Sequence, residues 1–345
     1  MAFAFVRSMF RPVVYELSRC PVCDAAETEE VAGPDDLRAE VELLWEFHDA
    51  RLKPRTPPEH LMDRVAFSQP PPWRVVRCPG CTLIYRNPRE RPHELEAAYV
   101  VEAPEPEVLG SLFRTQRRSF GTQARRLTRV LGRTGAGVEV GSYVGAFLAA
   151  ATEAGWYFEG LDVSDDANAF ARSRGFVVTT GSLETYAPGR TFDAVAIWNC
   201  FEQLVDPRAA VLRARALLRP EGVITIRTPN GEFWRRVRPA LTGRGARVAR
   251  ALLAHNNLLA LPYRHAFTVA SLERLLDDAG FRIERVVGDV LVPIADRWTR
   301  RWASLEERAL KSALRPLGPS RIRDVALFWN VTTGTRSQKG LKTFG

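Results

Sequence analysis

Five cysteines occur in the chain, and four of them form two pairs of one spelling, Cys20-Pro-Val-Cys23 and Cys78-Pro-Gly-Cys81. A two-residue gap lets both sulfurs of a tight turn reach one ion while nearby backbone amides face the thiolates. A lone pair would equally suit a redox couple. Two pairs, in a chain whose start (MAFAFVRSMFRP) lacks an apolar core followed by a small-residue cleavage site, favour metal over disulfide. The expectation is one structural zinc on Cys20, Cys23, Cys78 and Cys81, with no open position for chemistry.

The second constellation is Glu139-Val140-Gly141-Ser142-Tyr143-Val144-Gly145, an apolar run that ends in a glycine-bearing turn and enters a helix over Ala146 to Ala154. Gly141 permits a sharp turn at the strand end, and Gly145 permits close approach of the helix to a ligand. NAD, FAD and S-adenosylmethionine all suit such a turn. Asp162 closes the next strand, Tyr157 to Asp162, twenty-one residues past Gly141. A carboxylate there can accept hydrogen bonds from both ribose hydroxyls of an adenosine ligand. Its alternative role is a helix N-cap, which Ser164 can supply instead. Glu139 separates the cofactors: a pyrophosphate repels a nearby carboxylate, whereas the sulfonium and amino group of S-adenosylmethionine attract one.

On these residues the chain resembles the class I S-adenosylmethionine-dependent methyltransferases, whose first motif runs acid, any, Gly, any, Gly, any, Gly. Tyr143 stands at the middle glycine. The resemblance continues through Gly181-Ser182-Leu183-Glu184, a third-strand turn that meets the adenine edge in such enzymes, and through Thr191 to Pro207, the fourth strand and its turn. Arg213 to Leu218 then reads as a helix, Val223 to Asn230 as a fifth strand, and Leu272 to Phe281 as a helix closed by Gly280. Arg282 to Val290 and Asp324 to Thr332 read as the last two strands.

The resemblance implies a doubly wound, Rossmann-like α/β fold whose seven-stranded sheet ends in an antiparallel strand beside the sixth. It implies cofactor contacts from Glu139, Gly141, Ser142, Tyr143, Gly145, Asp162, Val163, Ser182, Leu183, Asn199, Phe201 and Glu202. Glu202-Gln203 stands where the family usually has Glu-His, and an amide cannot accept a proton at useful pH, so Gln203 should orient rather than deprotonate. Cys200, close by, reads as a packing residue. With its cysteine pairs the chain is similar to a bacterial group that fuses a four-cysteine segment to a methyltransferase domain, some of whose members act on sugars or secondary metabolites.

Ligands of open α/β sheets lie beyond the carboxyl ends of the strands, so the acceptor should face the loops after the fourth and fifth. The groups suited to remove its proton are His265 first, then Tyr263 and His255. The stretch from about 232 to 265 is an arginine-rich insertion that could close as a lid or present a solvated basic face.

The elements that must hold these groups divide the chain into a zinc-ribbon-like module over 1–92, a helical linker or cap over 93–130, and the methyltransferase domain over 131–345. Within the module, Leu37 to Leu52 has helical spacing, while Arg74 to Arg77 and Leu83 to Tyr85 read as a hairpin. At 46% hydrophobic and 26% charged residues the composition is that of a folded globular protein. No window is apolar for long enough to cross a membrane, and a cytoplasmic location is expected.

Forty-nine Lys and Arg against forty Asp and Glu give +9. That charge admits a nucleic-acid partner, although the cysteine module lacks aromatics interleaved with basic residues for stacking bases. The expected partner is a small hydroxylated acceptor, sugar-like or secondary-metabolite-like. An RNA methyltransferase that uses module and insertion as one basic surface is the alternative, and a binding protein without turnover the third reading. Neither oligomeric state nor acceptor atom follows from the sequence.

Overall fold

In the computed structural model, described here for residues 14–56, 74–91, 106–256, 258, 264–291, 293, 295, 297–314 and 328–335, helices and strands alternate after residue 131 much as the apolar runs require. The first part comprises β1 (Tyr15–Glu16), β2 (Glu29–Ala32), α1 (Pro34–Asp49), β3 (Arg74–Arg77), β4 (Ile84–Asn87) and β5 (Arg89–Glu90). Pro34 opens α1, where its missing N–H costs nothing, and the Asp36 carboxylate accepts the Gly33 amide at 3.0 Å. β3 and β4 form the expected hairpin around the second cysteine turn, Arg77 facing Ile84.

The second part runs α2 (Pro106–Leu131), β6 (Ala136–Val140), α3 (Ala146–Glu153), β7 (Tyr157–Asp162), α4 (Asp165–Arg172), β8 (Val178–Thr180), β9 (Phe192–Trp198) and α5 (Pro207–Leu217). It continues with β10 (Leu218–Pro229), α6 (Gly231–Val237), α7 (Ala246–Ala254), β11 (His265–Ala266), α8 (Val269–Asp278), β12 (Phe281–Asp289), α9 (Arg301–Leu314) and β13 (Phe328–Thr335). The seven-stranded sheet has the order β12-β13-β10-β9-β6-β7-β8. β10 to β8 are parallel, and β13 inserts antiparallel between β12 and β10. This is the doubly wound α/β fold with an antiparallel last strand. α2 lies on α3 in a core of Phe120, Leu127, Phe147 and Leu148.

The boundaries between the three expected parts dissolve. β11 leaves the large sheet and pairs antiparallel with β4, His265 opposite Tyr85, so the module's sheet is β11-β4-β3-β2 and includes residues from beyond the insertion. The insertion is likewise docked. Arg238 pairs with Glu40 and Asp36 of α1, and Leu253, Ala254 and Leu258 share a buried cluster with Leu37, Leu44 and Phe47. Swinging this segment outward as a lid would expose that shared core. Several of its arginines are also engaged, Arg235 and Arg236 with Glu232 and Arg250 on the Leu241 carbonyl, while Arg244 and Arg247 are exposed.

Candidate functional site

The two cysteine turns are built alike. In each, the amide two residues past the proline-containing gap closes on the first cysteine: Asp24 N–H on the Cys20 carbonyl and Thr82 N–H on the Cys78 carbonyl, both 2.9 Å. Asp24 (φ +58°) and Thr82 (φ +67°) both take the left-handed conformation that ends the turn. The four sulfurs consequently lie within 4.8 Å of one another, with Cys20 to Cys81 at 3.5 Å and Cys23 to Cys78 at 3.4 Å. Four thiolates about 2.3 Å from one tetrahedral zinc stand roughly 3.8 Å apart. The cluster therefore has the size and donor chemistry for that ion. It does not stand off from the catalytic domain: Cys20, Cys78 and Cys81 share a core with Phe201, Phe267 and Leu272, and Thr82 Oγ1 meets Thr268 Oγ1, the N-cap of α8, at 2.6 Å.

The glycine-bearing turn after β6 and the carboxyl end of β7 are tied to each other through Asp162. Its Oδ2 accepts the Tyr143 amide and its Oδ1 the Ser164 amide, both at 2.9 Å. Ser164, not Asp162, caps α4, its side chain accepting from Ala167. The Tyr143 backbone has φ +45°, a region in which glycine is free and a tyrosine is strained. Gly141 (φ +74°) is needed twice over, since a Cβ there would lie 2.6 Å from Cys200 Sγ. Gly145 (φ +73°) is needed for packing rather than ligand approach, because its Cβ would meet Phe176 and Ala171 at 3.1 and 3.2 Å.

Three acids converge beside this turn. Cys200, its thiol on the Val140 carbonyl at 3.2 Å, lies within electrostatic reach of Glu202, Asp162 and Glu139. Glu139 Oε2, Glu202 Oε2 and Ser142 Oγ are buried without a hydrogen-bond partner. Burial drives the Glu139 carboxyl well above the carboxylate range, the neighbouring Asp162 adds to this, and Arg227 opposes it. Burial also raises Asp162 against the pull of its amide donors, and pushes Glu202 up to about 7. Buried acids with unspent oxygens and so little positive charge around them suit a cationic ligand. The sulfonium and amino group of S-adenosylmethionine carry charge of that sign.

The turn after β8 is drawn in by the Gly181 amide on the Asp162 carbonyl at 3.0 Å. Leu183 is buried there, Ser182 half-buried, and Val163 exposed at the surface. A cavity of about 320 Å³, lined by Glu159, Leu161, Thr180, Gly181, Tyr186 and Arg190 among others, opens beside the turn.

Sequence reasoning missed a buried polar cluster at the carboxyl ends of β9, β10 and β12. Arg227, 4% exposed, donates from Nε to Asn199 Oδ1 at 2.9 Å and lies 3.4 Å from Asp289. Gln123 of α2 reaches the same Asp289 oxygen at 2.6 Å. Asn199 has φ +57°, and its carbonyl accepts a hydrogen bond from the Gln203 side-chain amide at 3.0 Å. The available signal was a lone arginine inside Val223-Ile224-Thr225-Ile226-Arg227, since burying such a charge demands partners.

Of the three candidate bases, Tyr263 lies outside the described residues. His255 has its Nε2 3.3 Å from Glu306 and its ring edge-on to Phe47; burial lowers its pKa. His265 is buried in β11 with its ring 5.8 Å from Phe267, which in turn stacks on Phe201 at 5.0 Å. Burial, helped by Arg264, Arg89 and Arg86, pushes His265 down to about 3. An imidazole so depressed is a poor proton acceptor. Its expected role as first-choice base is therefore corrected to one of packing the seam between β4 and the catalytic domain.

Residues 113–286 match the methyltransferase domain family Methyltransf_23. No curated protein sequence matches the chain. Among solved structures it is similar to a SAM-dependent methyltransferase of Thermotoga maritima described as a possible histamine N-methyltransferase, at 19% identity and TM-score 0.44, over 66% of this chain and 94% of that one. A SAM-dependent methyltransferase from Archaeoglobus fulgidus gives 17% and 0.44, over 67% and 100%. The plantazolicin methyltransferase BpumL, solved with SAH, gives 14% and 0.43, over 70% and 94%.

Proposed function

The chain belongs to the methyltransferase-domain family and is an S-adenosylmethionine-dependent enzyme; on that premise we propose that it methylates a small hydroxylated metabolite, sugar-like or secondary-metabolite-like, by direct displacement. The observation that carries this reading is the pair of buried acids Glu139 and Glu202, with half-buried Asp162, at the carboxyl ends of β6, β9 and β7. The small-acceptor part of the reading is supported by the insertion being packed on α1 rather than standing out as the wall of an open groove. Pairing of Arg235, Arg236 and Arg238 with acids reduces the basic surface that the RNA alternative needs and leaves it Arg244 and Arg247, which are exposed.

The bound cofactor would supply an electrophilic methyl carbon. Asp162 and Glu139 would hold its ribose and its cationic end, the Gly141–Gly145 turn would shape the cleft, and Phe201 would help exclude water. Loss of the Asp162 carboxylate also frees the Tyr143 and Ser164 amides, so Asp162→Ala should weaken S-adenosylmethionine binding by roughly ten- to a hundredfold in isothermal titration. Purified enzyme should carry labelled methyl into a low-molecular-weight fraction of its own cell extract. Label found only in RNA or protein would sink the small-molecule reading.

The four cysteines complete the proposal as a structural zinc centre, supported by their mutual distances and by the matched construction of the two turns. Metal analysis of the purified chain should find one zinc per chain.

A further inference from the structure

The buried acids do not divide their work evenly, and Glu202 differs from the other two. Asp162 is spent on two backbone amides, and Glu139 lies inside β6 behind the turn. Glu202 sits in the turn that follows β9, on the side where the acceptor is expected, with Oε2 unpartnered and 1% of the residue exposed. The groups that act on it are its own backbone amide, Thr228 and Arg227 of β10, and Cys200 beside it. Arg227, the one cation among them, is already bonded to Asn199 and Asp289. Glu139 and Asp162 are the other two acids within electrostatic reach of Cys200.

We propose that Glu202 stays a neutral carboxylic acid while the cleft lacks a cation, releases its proton to solvent when the cofactor's sulfonium arrives, and then serves as the base that takes the acceptor's proton. This rests on the methyl-transfer reading above. Charge balances at every stage. With the cofactor in place, one positive sulfonium faces one carboxylate. On transfer the acceptor's O–H or N–H bond breaks, its proton passes to the Glu202 carboxylate, and the methyl forms a bond to the acceptor as its bond to sulfur breaks. Neutral S-adenosylhomocysteine then faces a neutral acid, which is the resting state again. A buried site that could not shed its negative charge together with the sulfonium's positive charge would be left holding an unpaired carboxylate. Burial alone holds Glu202 up to about 7, poised for this exchange.

The test titrates the full-length, zinc-loaded chain with S-adenosylmethionine and, separately, with S-adenosylhomocysteine. Two buffers of different protonation enthalpy, phosphate and imidazole, are used near pH 6.5. The two ligands share every group except the sulfonium charge, so their difference in released protons reports the group that answers that charge. Wild-type protein should release more protons with S-adenosylmethionine. Glu202→Gln should abolish the excess with less than a tenfold change in affinity, while Glu139→Gln should retain it. Labelled methyl transfer by Glu202→Gln should fall by roughly a hundredfold or more. Equal release from both ligands in the wild type, or an excess that survives Glu202→Gln, would overturn the inference alone. If neither ligand bound, the methyltransferase reading itself would fall, and this inference with it. Should Glu202→Gln fail to fold, infrared difference spectra of the wild type decide: a protonated-carboxyl carbonyl band should be lost on binding S-adenosylmethionine and not on binding S-adenosylhomocysteine, and the same loss with both ligands, or none with either, would refute the proposal.

Discussion

Arg227 and Asn199 hold each other by two routes: the guanidinium Nε donates to Asn199 Oδ1, and the Asn199 backbone amide donates to the Arg227 carbonyl, each at 2.9 Å. The pair fixes a left-handed residue at the end of β9, immediately before the turn that holds Glu202. Replacing Arg227 by methionine fills similar volume but strands Asn199 Oδ1 and deprives Asp289 of its nearest cation. A loss of about 3 kcal/mol in unfolding free energy is expected by denaturant titration. Arg227→Lys should recover little of it, because an ammonium lacks the planar fork that reaches Asn199 and Asp289 together.

The contact between Gly141 and Cys200 makes a paired prediction. Gly141→Ala places a methyl against Cys200 Sγ and strains a φ of +74°. It should cost roughly 2–4 kcal/mol, from overpacking and backbone strain together. Adding Cys200→Ala removes the sulfur but leaves the backbone strain. The double variant should therefore melt between Gly141→Ala and wild type, and a double variant no more stable than the single one would show that the sulfur contact is unimportant.

Zinc removal should reach further than the first ninety residues. Cys20, Cys78 and Cys81 share a core with Phe201 and Phe267 of the catalytic domain. Each of Cys20→Ser, Cys23→Ser, Cys78→Ser and Cys81→Ser should lower zinc content and soluble yield. A strong chelator should lower the melting temperature of the whole chain by several degrees rather than unfold the module in a separate step. A catalytic domain that kept its wild-type melting transition without zinc would count against this shared stability.

Glu202 and His265 give the metal-loaded, cofactor-free protein two opposed pH dependences. Glu202 is raised in the folded state to about 7, so its contribution, about 3 kcal/mol, is complete below the unfolded carboxyl value of about 4.3 and is lost as pH rises through 7. His265 is depressed to about 3, so its contribution is complete above about 6.5 and is lost as pH falls toward 3. Melting temperatures followed against pH should separate them. Glu202→Gln should reduce the decline between pH 4.5 and 7, to which the raised Glu139 and Asp162 also contribute, and His265→Gln should soften the decline on the acid side. Parallel curves for all three proteins would contradict both assignments.

What the sequence made legible was local. The cysteine turns followed from a two-residue gap, the β6 turn and Asp162 from acids and glycines at fixed separations, and α1 and the β3–β4 hairpin from periodicity. Illegible were the relationships set by chain segments far apart. Nothing near His265 announces that β11 will pair with β4 or that three arginines will surround its ring. Arg235 and Arg236 fall in the stretch that the sequence offers as a lid or a basic face, yet each pairs locally with Glu232, three and four residues before them.

The pairing of β11 with β4 also sets an order of events while the chain is being made. Both cysteine turns leave the ribosome early, and a metal can join them at once, but the strand that covers Ile84 and Tyr85 is synthesised only after the whole parallel part of the large sheet. During that interval β4 is an open, apolar sheet edge, the kind of surface that recruits other strands. A chain halted before His265 would keep that edge exposed permanently. Incomplete copies would thus carry their own mark for chaperones and proteases, whereas a finished copy hides it with its last contribution to the small sheet.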